Sequence, residues 1–270
     1  MLHAGEDLQE TNSATTELLY AARCTKHAAR ATLHTAHCTS APYLTRMLPR
    51  AFALLFAAAA LTPVSAQIIS LDEGSFSLVR AGERVGREDF SIRSAPATGG
   101  VVLVAQGNSV TGTRRVAPGL NADSSGFPLR YQSEVRVEGR VVESYSGQTT
   151  RLHFASRAQN ERGESAREFR LPPGTVTAED DVAHQLWFIA RRGPGAVVPV
   201  LVPSRYVIEI VRVTLVGTER LALETRELDT RHVRLTTDGT GVIRDVWTDA
   251  SGHLIKVEFP RVKLVAIRDL

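Results

Sequence analysis

Apolar and polar residues alternate along most of the chain after residue 74, in short runs separated by turn residues. Over 85–93, for example, Phe90 and Ile92 fall on one face of an extended chain, and Asp89 and Ser91 fall on the other. A period of two residues is typical of antiparallel strands that bury one face. The pattern therefore predicts a β-rich protein.

Turn sequences between these runs predict hairpins. Residues 138–140, Glu-Gly-Arg, join the runs 129–137 and 141–145. Residues 107–128 instead carry few large apolar side chains and many Gly, Asn, Ser and Pro residues. They predict a weakly structured stretch with one short strand near 109–116.

The run 178–192 is the one good helix candidate. Thr177 is suited to cap it, with Asp180 three residues further on. Acidic residues fill the first turn and Arg191 and Arg192 the last, which suits the helix dipole. Apolar residues at helical spacing predict that it packs on a sheet; they are Val182, Leu186 and Ile189.

These elements predict a mostly β fold. We expect an antiparallel curved sheet or partly open β-barrel of about twelve strands with one packed helix, 178–192. Strands and helices do not alternate as they would in a parallel sheet. We expect residues 67–270 to form one antiparallel β domain.

Residues 47–66 have the organisation of a signal peptide. Arg50 supplies a positive charge, residues 51–61 are an unbroken apolar run, and Val64-Ser65-Ala66 offers small side chains for cleavage. The run is too short for a stable membrane-spanning helix. We expect cleavage after Ala66 and an exported protein, periplasmic or extracellular, from a bacterium.

Residues 1–46 differ from the rest of the chain in composition and contain both cysteines, Cys24 and Cys38. We interpret them as a disordered, non-native upstream extension, with Met47 as the true start; the alternative is a genuine N-terminal tail. The spacing of the cysteines and the nearby histidines does not match a structural zinc site. The mature chain has no cysteine, so we expect no disulfide. We also expect no metal and no cofactor.

Charge and hydropathy argue against two classes of protein: nucleic-acid-binding proteins and proteins whose mature chain spans a membrane with a helix. The formal net charge is +3, and acidic and basic residues are interspersed. The absence of a basic stripe disfavours nucleic-acid binding. No apolar stretch after residue 66 is long enough to span a bilayer as a helix.

Several short motifs are spread over the mature chain. They are Gly74-x-Phe76, Val85-Gly86-x-Glu88-x-Phe90, Asp180-Asp181-x-x-His184, and Val246-Trp247-x-Asp249-x-x-Gly252-x-Leu254-x-Lys256-Val257. Together they resemble exported bacterial β-rich domains of unknown function with a half-barrel form. Those domains are distantly similar to the unclosed barrels of periplasmic lipoprotein carriers. The resemblance covers most of residues 74–268 and implies a fold, but no activity.

Catalytic and metal-binding patterns are weak in the mature chain. Its histidines are His153, His184, His232 and His253, and none forms a metal-like pattern with its neighbours. Asp180 and His184 would share a helix face, an arrangement that more often forms an ordinary helix hydrogen bond than a site. No nucleophile elbow, zinc-protease motif or phosphate loop occurs. We therefore predict no catalytic residue and a non-enzymatic protein.

The run 206–216 is apolar on both faces through its first half. Such a strand should be covered on both sides, by the predicted helix and by a sheet interior that is either packed or open to an apolar ligand. The candidate ligand-binding residues are Trp187, Tyr206, Ile208, Ile210 and Trp247.

Trp247 alternates with two carboxylates, Asp245 and Asp249, on one strand face. One interpretation is an aromatic binding platform. The other is structural: Asp249 accepts the N–H groups of the 249–252 turn, and Asp245 pairs with an arginine of the neighbouring strand. We favour the structural interpretation for this group.

Two functional hypotheses remain. The first is an envelope binding or carrier module for an apolar or lipid-like ligand. The second is a structural or protein-interaction module of the envelope with a solid core. A filled or hollow barrel interior would discriminate between them.

Overall fold

The computed structural model describes residues 67–223 and 226–270. The predicted extension 1–46 and signal peptide 47–66 lie outside these residues. Strands make up 69% of these described residues, which confirms the mostly β class. The strands are β1 Ile69–Arg80, β2 Glu83–Ala97, β3 Gly100–Thr111, β4 Arg114–Asp123, β5 Pro128–Val137, β6 Arg140–Thr150, β7 His153–Asn160, β8 Gly163–Arg170, β9 Val176–Thr177, β10 Val197–Val202, β11 Val207–Leu223, β12 Arg226–Thr237, β13 Ile243–Thr248, β14 Leu254–Phe259 and β15 Leu264–Arg268.

The described strands form one sheet of fifteen members in the order β8-β7-β6-β5-β4-β3-β2-β1-β15-β14-β13-β12-β11-β10-β9. Neighbours in sequence pair antiparallel, and β1 and β15 join the two halves, with Phe76 opposite Arg268. The exception is β9, which runs parallel to β10. Strands β8 and β9 stand at the two ends of this order, so the sheet is not closed.

The count of about twelve strands was too low, and 107–128 is more regular than the weakly structured stretch that we expected. Strand β4 crosses this stretch and buries alternate positions, among them Val116, Leu120 and Ala122. Ala117, Gly119 and Asn121 stand between them, so few side chains of this strand are large. The period of two was therefore present, but low hydrophobicity concealed it.

Strand β11 is longer than the run 206–216 that predicted it. It continues through Val216-Gly217-Thr218, a sequence that favours a turn, and the pairing with β12 shifts register between Leu215 and Gly217. A local β-bulge therefore replaces the turn. The expectation that both faces are covered was wrong for its middle: Val211 and Val213 are buried, whereas Ile210 on the opposite face is 36% exposed.

The predicted helix 178–192 was also largely wrong. Helical structure is confined to a 3₁₀ turn, His184–Leu186, and a four-residue helix α1, Trp187–Ala190. Thr177 is not a helix cap, because it lies in β9. Two further 3₁₀ turns, Pro203–Arg205 and Pro260–Val262, connect β10 to β11 and β14 to β15.

Residues 175–190 form a segment that we call the plug. All of its side chains are buried except those of Asp180 and Asp181, which are half-buried. The plug contributes Leu186, Phe188 and Ile189 to the same core cluster as side chains of most of the strands. The space enclosed by the sheet is therefore filled by the protein's own chain.

Contacts to the plug show how strongly the sheet curls. Glu179 is hydrogen-bonded to Tyr131 of β5 and to Ser204 directly after β10. Strands β5 and β10 are ten steps apart in the sheet order. In a flat sheet, with neighbours ~4.8 Å apart, they would be separated by about 48 Å. The sheet must wrap around the plug for one side chain to reach both.

Candidate functional site

A carboxylate from β2 holds the centre of the plug. Glu88 is fully buried and accepts hydrogen bonds from the backbone N–H groups of Ala183 at 3.1 Å and His184 at 2.8 Å. Its Oε1 also lies 2.8 Å from Nδ1 of His184. Glu88 therefore satisfies the free N–H groups that begin the short helical stretch, a role usually played by a residue of the same segment.

The His184 imidazole is enclosed by residues of three strands. Its ring stacks on Phe90 at 5.7 Å, and Phe90 stacks on Phe76 at 4.9 Å. The ring also lies directly over Gly107 of β3, where there is no room for a Cβ atom. Phe76, Glu88 and Phe90, three of the six N-terminal motif residues, thus lie around one histidine.

Acidic residues at the start of the plug bind other elements, which explains why no helix forms there. Asp180 is bound by Arg205 and by Arg244, each at 2.7 Å, and Asp181 pairs with Arg114 at 2.9 Å. A helical first turn would carry these carboxylates away from their partners. The Asp180–His184 pair predicted on a helix face therefore does not exist.

Glu179 is the most deeply buried acid of this group. It accepts hydrogen bonds from the Tyr131 hydroxyl at 3.0 Å and from the N–H of Ser204 at 3.3 Å. Burial raises the pKa of Glu179, and the hydrogen bonds from Ser204 and Tyr131 only partly oppose this rise. Burial also raises the pKa of Tyr131 well above its ordinary value.

The main candidate site is a cleft of about 480 Å³ beside the end of the plug, which we call the Trp187 cleft. Trp187 and Ala190 of α1 form one wall. The other walls come from β11, β12, the end of β13 and the turn that follows it. The lining residues from these elements are Thr218, Asp229, Thr230, Arg231, Thr248, Asp249, Ala250, Ser251 and Gly252.

The far wall of the Trp187 cleft is rigid. Asp249 accepts hydrogen bonds from the N–H groups of Ser251 at 2.9 Å and His253 at 2.8 Å, and it contacts the His253 ring at 2.9 Å. The Oγ1 atom of Thr248 is buried and has no hydrogen-bond partner within the described part of the chain.

A cation covers part of the aromatic wall. The Arg191 guanidinium lies 4.4 Å from the centre of the Trp187 ring. Partial burial lowers the pKa of Arg191, and the neighbouring Arg192 charge adds to the effect. The Trp187 cleft thus combines an aromatic wall with hydroxyl groups and charged residues of both signs. This composition is typical of small-molecule sites.

The five predicted ligand residues do not form one site. Trp187 lines the cleft, but Tyr206 lies where the sheet nearly closes. Its hydroxyl is 2.9 Å from the Ser165 hydroxyl of β8, its ring is 5.6 Å from that of Tyr145, and Arg167 lies 5.1 Å from its centre. Side-chain contacts, and not backbone hydrogen bonds between strands, thus connect Tyr206 with β8.

The other three residues have separate surroundings. Ile208 packs partly buried against the core, and Ile210 faces outward. Trp247 is buried between the His232 ring at 4.0 Å and Lys256 at 4.4 Å. It therefore offers no open platform.

The structural interpretation of the residues around Trp247 is confirmed. Asp245 pairs with Arg234 of the adjacent strand at 2.9 Å and with His232 at 3.0 Å. Burial alone would raise the pKa of Asp245, but the bonds from Arg234 and His232 outweigh it and hold this pKa below its ordinary value. Asp249 caps its turn as expected.

The described residues hold no group of three or more His, Cys, Asp or Glu side chains placed to bind a metal ion. Across 67–223 and 226–270, no helix has the length and apolar character needed to cross a membrane.

Sequence reasoning found Trp187 of the cleft but missed the threonines and the 249–252 turn as its neighbours. They come from separate strands, so only the register of the sheet brings them together.

The fold and the site define a mostly β protein with an open, barrel-like sheet. Neither protein-family models nor curated proteins give a match to the chain. A solved structure from Brucella abortus, a β-barrel-like protein of the domain of unknown function DUF1849, aligns with 75% of this chain and 97% of its own. The TM-score is 0.47 and the identity 9%. Its description agrees with the bacterial β-rich domains of unknown function that the sequence resembles.

Proposed function

We propose that the protein is an exported, non-enzymatic binding module of the bacterial envelope that holds a small apolar or amphiphilic ligand in the Trp187 cleft. The observation that carries this proposal is the cleft itself. Its volume of about 480 Å³ lies within the range of roughly 300–1,000 Å³ that small-molecule sites occupy. An aromatic wall and a few fixed polar groups are the usual composition of such sites.

The plug changes where a ligand would bind. A carrier with a hollow barrel would hold its ligand among the core side chains, but Leu186 and Phe188 of the plug already fill that space. The ligand therefore sits beside the end of the plug, not under it. Export is part of the same proposal and rests on the signal-like run 47–66.

One variant allows ligand binding in the Trp187 cleft to be measured by fluorescence. The chain has two tryptophans, so Trp247→Phe leaves Trp187 as the reporter. We expect 1-decanol to shift the Trp187 emission to shorter wavelength in a saturable way. Circular dichroism checks that the variant is folded, and native mass spectrometry of the unmutated protein measures binding without substitution.

A blocking variant and a matched control locate the binding site. Ala250 is exposed in the turn that lines the cleft, and Ala97 is exposed at the end of β2, away from it. In the Trp247→Phe background, Ala250→Phe should weaken decanol binding by about tenfold or more, whereas Ala97→Phe should leave it unchanged. Equal affinity in both, or no saturable shift at all, would contradict the proposal.

The alternative is a structural or protein-interaction module with a solid core. The filled interior favours it, and so does strand β8, whose residues are exposed on both faces except for Phe169. A strand at the end of a sheet has an edge that can pair with another chain. Retention of an envelope protein by the full chain, lost on Ala166→Pro in β8, would support this alternative.

A further inference from the structure

A second cleft, of about 280 Å³, lies at the opposite end of the sheet from the 249–252 turn. We call it the Arg261 cleft. Three connections meet there: the 3₁₀ turns Pro203–Arg205 and Pro260–Val262, and the turn between β12 and β13. Because these strands form consecutive antiparallel hairpins, alternate turns must lie at the same end.

The charges of this cleft do not balance. Asp180 is bound by Arg205 and Arg244, and Glu209 is bound by Arg205 through Nη1 at 2.7 Å. These two carboxylates therefore neutralise two arginines. Arg261 also lines the cleft and forms no ion pair within the described residues. One positive charge is left for a ligand.

Apart from Thr240, the remaining lining is apolar. Phe259 is buried at the base, and Val262 beside Arg261 is 46% exposed. Val242 and Ile243 complete this surface. An exposed valine next to an unneutralised arginine offers one apolar contact and one charged contact within a few ångströms, which matches an amphiphile with an anionic end.

We propose that the Arg261 cleft binds a medium-chain fatty acid, with its carboxylate on Arg261 and its alkyl chain on Phe259 and Val262. A guanidinium binds a carboxylate through two parallel N–H···O hydrogen bonds. A phosphate monoester carries about −1.5 to −2 charges at neutral pH, more than the cleft compensates. The volume, just under that of typical drug-sized sites, suits a medium-length alkyl chain.

The probes for the test are octanoate, 1-octanol and octylamine, titrated by calorimetry into the unmutated protein and into Ala250→Phe, in which the Trp187 cleft is blocked and cannot contribute to the binding of 1-octanol. We expect saturable binding of octanoate, weaker binding of 1-octanol and none of octylamine. Arg261→Gln should weaken octanoate binding by about tenfold or more, because a charge-assisted pair is lost. The control Arg93→Gln removes an exposed arginine of β2 that lies outside the cleft and should have no effect.

Two results would overturn the proposal. One is equal octanoate affinity in the unmutated protein and Arg261→Gln; the other is 1-octanol binding as tightly as octanoate. Arg261 is exposed, so its substitution should not impair folding. Ala250→Phe, which blocks the Trp187 cleft, should leave octanoate binding intact. A failure to bind octanoate at the Arg261 cleft is therefore distinguishable from a failure to bind 1-decanol at the Trp187 cleft.

Discussion

Gly107→Ala tests most sharply whether the plug is seated as described. A Cβ atom on Gly107 would overlap Cε1 of His184 and lie only 2.8 Å from its Nδ1. The ring cannot simply rotate away, because it is 1% exposed, bonded to Glu88 and stacked on Phe90. The added methyl group must therefore displace the histidine together with part of the plug.

The cost can be worked from these contacts. Overpacking of a filled core costs about 1–3 kcal/mol. If the imidazole also leaves Glu88, a buried group loses its partner at a further cost of about 1–3 kcal/mol. For a domain of this size, each kcal/mol lowers the melting temperature by about 2–4 °C. Urea unfolding and calorimetry measure both quantities.

Gly119 provides the matched control. It lies in the adjacent strand β4, and the nearest atom to an added Cβ would be Cγ of Gln132 at 3.4 Å, an ordinary contact. Gly119→Ala should therefore be neutral or slightly stabilising. The second control is Gly107→Ala in a His184→Ala background, where most of its cost should vanish. Equal costs with and without the imidazole would refute the placement of the plug.

Two other predictions concern ionisation and processing. Burial raises the pKa of Glu179 above its ordinary value of 4.5, so the folded state binds this proton more tightly than the unfolded state. The native protein should lose stability relative to Glu179→Gln as the pH rises from about 4.5 through the raised pKa. Urea unfolding of both at pH 4 and pH 8 measures this, and a pH-independent difference would contradict it. N-terminal sequencing of the exported protein should begin at Gln67; a product that retains Cys24 would disprove cleavage after Ala66.

The sequence predicted the sheet well where the stabilising interactions join residues that are close together in the sequence. The hairpin at Glu138-Gly139 was confirmed, and both residues adopt positive φ there. The cap of the 249–252 turn was confirmed for the same reason: a carboxylate and its backbone donors lie within four residues. Alternation also correctly predicted an antiparallel sheet.

The plug could not be predicted, because it depends on partners distant in sequence. Residues 178–192 have a strong helix pattern, yet Glu88 lies 95 residues before Ala183, to which it bonds. Arg244 lies 64 residues after Asp180. These contacts outweigh the local helix preference. The Trp187 cleft was missed for a related reason, since its walls meet only after the sheet curls around the plug.

The most direct test of ligand binding beside the plug is a nuclear Overhauser measurement between 1-decanol and Trp247→Phe protein. The proposal predicts cross-peaks from the alkyl chain to the Trp187 indole and to the methyl group of Thr248. It predicts none to the ring of Phe154, which belongs to β7 and is fully buried in the core. Cross-peaks to Phe154 would show that the ligand enters the barrel interior and displaces the plug, and would contradict the account.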